Sequence, residues 1–196
     1  MEKGSEVRKA DYPINEIFLN RWSPRAMSGE SISDEELMTL FEAARWAPSA
    51  SNEQPWRFIY ARSENKEQFD KFFGILDDFN QLWAGNAAAL VCLCAYKKTK
   101  DDKENRNFMS DTGSAWENLA LQGSLLGLVV HGMAGYDVEK ARKELNIPED
   151  YEIVHMIAIG KSGDLDKIPE RMRKSEHPNE RKPIGEFVFE GEFKNS

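Results

Sequence analysis

Four short segments carry groups suited to holding an anionic or planar ligand. Asn20-Arg21-Trp22-Ser23-Pro24-Arg25 sets two guanidiniums around a hydroxyl, a compact donor set for a phosphate because Arg offers planar, bidentate geometry. Taken alone, an Arg-rich turn is better explained as solvated surface. Ala47-Pro48-Ser49-Ala50-Ser51-Asn52-Glu53-Gln54-Pro55-Trp56 combines a helix stop, small hydroxyl and amide side chains and a strand start, so it is either capping chemistry or a rigid polar cradle. In Gly132-Met133-Ala134-Gly135-Tyr136-Asp137 the glycines let backbone N–H groups approach a flat ligand with no Cβ between. Glu180-Arg181-Lys182-Pro183-Ile184 places two cations beside a proline-fixed turn. The scattered His131, His155 and His177 give no zinc or haem spacing, so no metal ligand set is assigned. Cys92 and Cys94 stand in one apolar run and are expected to turn to opposite faces of a strand, which disfavours pairing or a shared metal.

The elements that would position these segments follow from periodicity. Ser33 and Glu36 form a capping box, and Leu37, Leu40, Phe41 and Ala44 recur at helical spacing, so a helix is predicted from Asp34 to Trp46, ended by Pro48. Trp56–Arg62 is predicted as a strand and Lys66–Leu76 as a helix. Ala87–Tyr96 is a strand apolar on both faces, which implies a central position. A long helix is predicted from Asp111 to Gly127, buried around much of its circumference. A strand follows at Leu128–Met133, then a helix at Asp137–Leu145 and a strand at Tyr151–Ile159. The charged stretch from Lys161 to Lys182 is expected to be loop, and Glu186–Phe193 alternates like a strand that must pair elsewhere.

The 196 residues suit one domain, with residues 1–17 as an N-terminal extension and 161–196 as a C-terminal arm. With 26 Lys+Arg against 34 Asp+Glu, the net charge of −8 argues against nucleic-acid binding, which requires clustered cations. The longest apolar run, Ala87–Tyr96, is ten residues, about half of a membrane span. The charged N-terminus lacks an apolar signal core, so a cytoplasmic location without membrane contact is expected.

In this order and spacing the segments resemble the nitroreductase family of FMN-dependent oxidoreductases, from Phe18 to the end. The motifs are NRWSPR at 20–25, APSASNEQPWRF at 47–58, DTGSAWENLALQGSLLGL at 111–128, GMAGYD at 132–137 and ERKPIGE at 180–186. The resemblance implies an α+β fold, with a mostly antiparallel central sheet flanked by helices and a C-terminal strand exchanged in a homodimer.

The resemblance also implies roles. Arg21, Ser23 and Arg25, with Trp22 between them, match positions at the FMN phosphate and ribityl chain. Arg25 would lie near the pyrimidine edge, where a fixed cation stabilises charge gathered on reduction. Arg181 and Lys182 match cations completing the phosphate site. Pro48, Ser49, Ala50 and Asn52 match a segment lining the cofactor from the opposite subunit, and Asn80 matches an amide at the pyrimidine edge. Met133, Ala134 and Gly135 match the turn near flavin N5, Gly135 through its backbone N–H. Ala134 stands where a glutamate is common. Trp83 and Phe108 are either substrate-side or packing residues.

The implied activity is ping-pong hydride transfer from NAD(P)H through flavin N5 to a nitroaromatic, quinone or similar planar acceptor. No protein acid, base or nucleophile is obligatory, so no catalytic residue is assigned. Two other readings are open: a specialised enzyme of the same fold, such as a reductive dehalogenase or flavin-consuming enzyme, and a non-catalytic FMN sensor or carrier.

Overall fold

The computed structural model describes residues 3–194. The expected domain of 1–196 therefore runs two residues beyond the described residues at each end. Helices α1 (Gly4–Val7), α2 (Ile17–Asn20) and α3 (Asp34–Arg45) precede strand β1 (Trp56–Arg62). There follow α4 (Lys66–Ile75), α5 (Asp78–Ala84), β2 (Ala89–Tyr96), α6 (Phe108–Leu125), β3 (Leu128–Met133), α7 (Val138–Glu144), β4 (Tyr151–Lys161) and α8 (Glu170–Arg173). The sheet runs β1-β2-β4-β3 with every neighbouring pair antiparallel, the α+β architecture expected.

Two apolar layers clamp this sheet. On one face Phe69, Phe72 and Ile75 of α4, Trp83 of α5 and Ala141 of α7 pack on Cys92, Cys94 and Met156. On the other, Leu37 and Leu40 of α3 and Ala115 and Leu119 of α6 cover Val91, Leu93, Ile157 and Ile159. β2 is buried on both faces except at Tyr96, as its unbroken apolar run requires. The capping box forms as predicted: Glu36 N–H donates to Ser33 Oγ at 3.1 Å and Ser33 N–H to Glu36 Oε2 at 2.7 Å. Among the described residues no helix is long and apolar enough to cross a membrane.

Four expectations are corrected. Cys92 and Cys94 share a face, their sulfurs 3.7 Å apart, because a strand's period of two returns residue i+2 to the same side. The Cys92 thiol is pushed upward by its contact with Cys94 and by burial, so it stays protonated. The segment from Lys161 to Lys182 is not all loop: β4 extends to Lys161, α8 follows, and Ile168 and Met172 insert into the core. α6 is buried along one face rather than all round, leaving Met109 and Leu125 exposed. Glu186–Phe193 forms no strand: a 3₁₀ turn at Ile184–Glu186 gives way to bends, with Phe187 and Phe193 exposed. No sheet edge of the same chain pairs with it, and an unpaired strand lacks the ladder that would hold it extended.

Candidate functional site

A cavity of about 520 Å³ opens where the Asn20–Arg25 segment, the N-terminal extension and the C-terminal arm meet. Its wall includes Arg8, Arg21, Ser23, Arg25, His131 and Arg181. The Asn20–Arg25 segment is anchored at its far end, where Met27 bridges to Ser162 and Ser28 N–H donates to the Lys161 carbonyl at 3.0 Å. Gly163 permits this approach: a Cβ there would stand 2.5 Å from the Met27 carbonyl carbon. The backbone is thereby fixed while the side chains between Arg21 and Arg25 turn to the cavity.

The cations are held in distinct ways. Arg21 donates to Ser23 Oγ at 3.3 Å and lies 3.6 Å from Glu117. Arg25 is held from the arm: Glu176 Oε1 accepts its backbone N–H at 2.5 Å and that of Ala26 at 2.8 Å, and Oε2 lies 3.6 Å from its guanidinium. Arg25 Nε is buried with no hydrogen-bond partner among the described residues. Arg8 donates to the carbonyls of Leu19, Arg21 and Asn179, and Arg181 donates to the same Asn179. Burial, then the charges of Arg181 and Arg21, hold Arg8 below the usual guanidinium range. This is a concave site of excess positive charge, suited to an anion with several oxygens.

His131 Nδ1 lies 2.9 Å from the Pro24 carbonyl, so that nitrogen carries the proton. Burial, with a further contribution from Arg25, pushes His131 down to about 4. A neutral ring thus packs at 4.6 Å on Trp83. Trp83 itself is 1% exposed, which makes it a packing residue; Phe108 is half-buried at the start of α6.

The turn after β3 is built separately. The Gly135 carbonyl accepts Asp77 N–H at 3.1 Å and the Asn80 amide at 2.9 Å. Its own N–H has no partner among the described residues. A Cβ at Gly135 would lie 2.0 Å from Asp77 Oδ2, so glycine is required for this approach. Asn80 is buried and engages Gly135, which sets it behind the turn. Met133 is buried and Ala134 exposed.

The Ala47–Trp56 segment, which carries a 3₁₀ turn at Ala50–Asn52 and runs into β1, lies outside the cavity wall. Ser51, Asn52 and Gln54 all have positive φ, Ala50 N–H donates to Asp111 Oδ2 at 3.0 Å, and Gln54 N–H to Ser49 Oγ at 3.1 Å. Within one chain Pro48, Ser49, Ala50 and Asn52 do not join Arg21. Lys182 also stands apart, its side chain 79% exposed and 3.9 Å from Glu186, whereas Arg181 lines the cavity. Sequence reasoning passed over Arg8, Glu176 and Asn179. Each lies in a charged stretch that reads as solvated surface until the chain ends meet.

A sequence model of the nitroreductase family matches residues 19–161. A protein of Archaeoglobus fulgidus provisionally named NADH dehydrogenase/NAD(P)H nitroreductase is 32% identical over 148 residues, covering 74% of this chain and 82% of its own. The major NAD(P)H-flavin oxidoreductase of Aliivibrio fischeri is 34% identical over 95 residues, 46% of this chain and 43% of its own. A crystal structure described as an oxidoreductase containing FMN superposes with a TM-score of 0.93 at 36% identity, covering 100% of both chains. Family match, relatives and fold agree, and the chain belongs to the nitroreductase family.

Proposed function

We propose that this protein is an FMN-dependent NAD(P)H oxidoreductase that passes hydride to a nitroaromatic, quinone or similar planar acceptor by a ping-pong cycle. The observation that carries this reading is the cavity in which Arg21, Ser23 and Arg25 are joined by Arg181. The donor set fits FMN: a phosphate answers the excess cationic charge, and the partnerless Arg25 Nε has a donor to offer. When bound, FMN supplies hydride acceptance and donation at its N5 atom.

The chain's own residues bind and orient. Arg21, Ser23 and Arg181 hold the phosphate and ribityl chain, with Trp22 at the same wall. Arg25, held by Glu176, faces the pyrimidine edge, where a fixed cation favours added negative charge. Met133, Ala134 and Gly135 form the turn near N5, with the partnerless Gly135 N–H as donor. Asn80 acts through Gly135, and Lys182 is an outlying cation that adds to the field. Pro48, Ser49, Ala50 and Asn52 reach the cofactor from a second copy of the chain, so the working unit is a homodimer in the cytoplasm. Support for this is that the loop is held by hydrogen bonds to Asp111 and Ser49 yet lies outside its own chain's cavity wall. The experiment is an anaerobic titration of the purified protein with NADH and NADPH. A yellow chromophore that bleaches, and returns on adding a nitroaromatic or quinone, is expected; a colourless protein, or colour that neither nucleotide bleaches, overturns the reading.

A further inference from the structure

We infer that Arg8, in the N-terminal extension, is a positioning residue that completes this site for a dianionic phosphomonoester, joining the Arg21 segment to the C-terminal arm and adding its charge to that of Arg181. The inference rests on the FMN reading and goes beyond the residues that carry the resemblance, since Arg8 lies outside every one of those motifs and outside the matched span of 19–161.

The first support is geometric. Arg8 Nη1 donates to the carbonyls of Leu19 at 2.7 Å and Arg21 at 3.1 Å, and its Nε to the Asn179 carbonyl at 2.8 Å. One planar fork therefore ties together two segments more than 150 residues apart in sequence (|i−j| = 171 from Arg8 to Asn179). Asn179 Oδ1 accepts from Arg8 at 3.3 Å and from Arg181 at 3.0 Å, so two guanidiniums share one amide.

The second support is charge. Arg21 and Arg25 each face a carboxylate, Glu117 and Glu176. Among the described residues neither Arg8 nor Arg181 has a carboxylate oxygen within 4 Å; their partners are neutral oxygens. Two like charges meeting in a concave site repel unless an anion stands between them. Burial first, and then the charges of Arg181 and Arg21, lower the affinity of Arg8 for its proton, while the charge of Glu180 opposes them. Two unpaired cations match the two charges of a phosphomonoester, and riboflavin, which lacks the phosphate, would not use them.

The test compares FMN, riboflavin and inorganic phosphate on the full chain and on Arg8→Gln and Arg8→Lys. Arg8→Gln should raise the Kd for FMN by about tenfold to a hundredfold, leave the riboflavin Kd within about threefold, and abolish the rise in melting temperature caused by phosphate. Arg8→Lys, which keeps charge and loses the fork, should fall between. Equal losses for FMN and riboflavin would show a purely structural role and overturn the inference, as would unchanged FMN and phosphate binding in both variants. If the unaltered chain binds phosphate in an Arg8-dependent way but no FMN, the FMN reading fails and the phosphate assignment stands. If it binds neither, both fall.

Discussion

Glu176 holds Arg25 twice: its Oε1 accepts the Arg25 backbone N–H at 2.5 Å, and its Oε2 lies 3.6 Å from the guanidinium. The carboxylate is nearly buried, with a side-chain exposure of 3%. A buried carboxylate that accepts two backbone N–H groups is a fastener, since removing it strands those donors. Glu176→Ala should therefore lower stability by about 1–3 kcal/mol and weaken FMN binding at the same time. Glu176→Gln keeps an acceptor and should lose less. Urea unfolding and flavin-fluorescence titration of both variants check this; wild-type values in both would mean that the arm is not anchored through Glu176.

Gly135 and Ala134 are neighbours with opposite tolerance. A Cβ on Gly135 would meet Asp77 Oδ2 at 2.0 Å and Asn80 Nδ2 at 2.8 Å. Gly135→Ala should thus break the bonds from Asp77 and Asn80 to the Gly135 carbonyl, at a cost of about 1–3 kcal/mol. Ala134 is exposed, so Ala134→Glu should leave stability within about 0.5 kcal/mol. Thermal melts of the two variants give the comparison, and equal losses would contradict it.

How much of this could be read in the sequence follows from what each signal depends on. α3, β1, β2 and β3 were legible because periodicity and the Ser33–Glu36 box are local. The Arg21, Ser23 and Arg25 cluster was legible as a spacing. Arg8, Glu176 and Asn179 were not, because their meaning arises only when residues about 150–170 apart meet. Glu186–Phe193 failed for the converse reason: its alternation is real, but a strand also needs a paired edge, and among the described residues neither edge of the sheet, β1 or β3, takes it up. The cysteine error was one of parity, since i and i+2 share a face.

His131 sets a pH dependence of stability. Its folded-state value is pushed down to about 4 by burial, helped by the Arg25 charge, against about 6.5 in the unfolded chain. Below pH 6.5 the unfolded chain takes up a proton that the folded chain refuses. Stability is thus fully present above about 6.5 and is lost as pH falls toward 4, by at most about 3 kcal/mol for this group. His155, also lowered by burial, acts in the same direction. His131→Asn, which retains a donor for the Pro24 carbonyl, should flatten part of this slope. Urea unfolding between pH 4 and 7 measures it; an unchanged slope in the variant would rule His131 out as a contributor.

Removal of residues 184–196 separates the two tasks of the arm. Phe187 and Phe193 are 60% and 83% exposed, and Val188 is 58% exposed. Apolar side chains at that exposure, gathered at one end of a polar chain, are suited to covering a second copy. The cationic cavity is secured upstream of the cut: Arg181 is held on Asn179, Asn179 on Arg8, and Glu176 on Arg25. Truncation after Pro183 should therefore weaken the dimer first. On the proposed homodimer, FMN affinity should fall only as the two copies dissociate, because the proposed contribution of the Pro48–Asn52 loop to the second copy's site is then lost. The expected signature is FMN binding that recovers as protein concentration rises, followed by sedimentation velocity and flavin fluorescence on the same samples. A truncated chain that remains a stable, fully flavinated dimer at low concentration would show that residues 184–196 are peripheral. FMN loss that persists in a demonstrably dimeric sample would show instead that these residues shape the site directly.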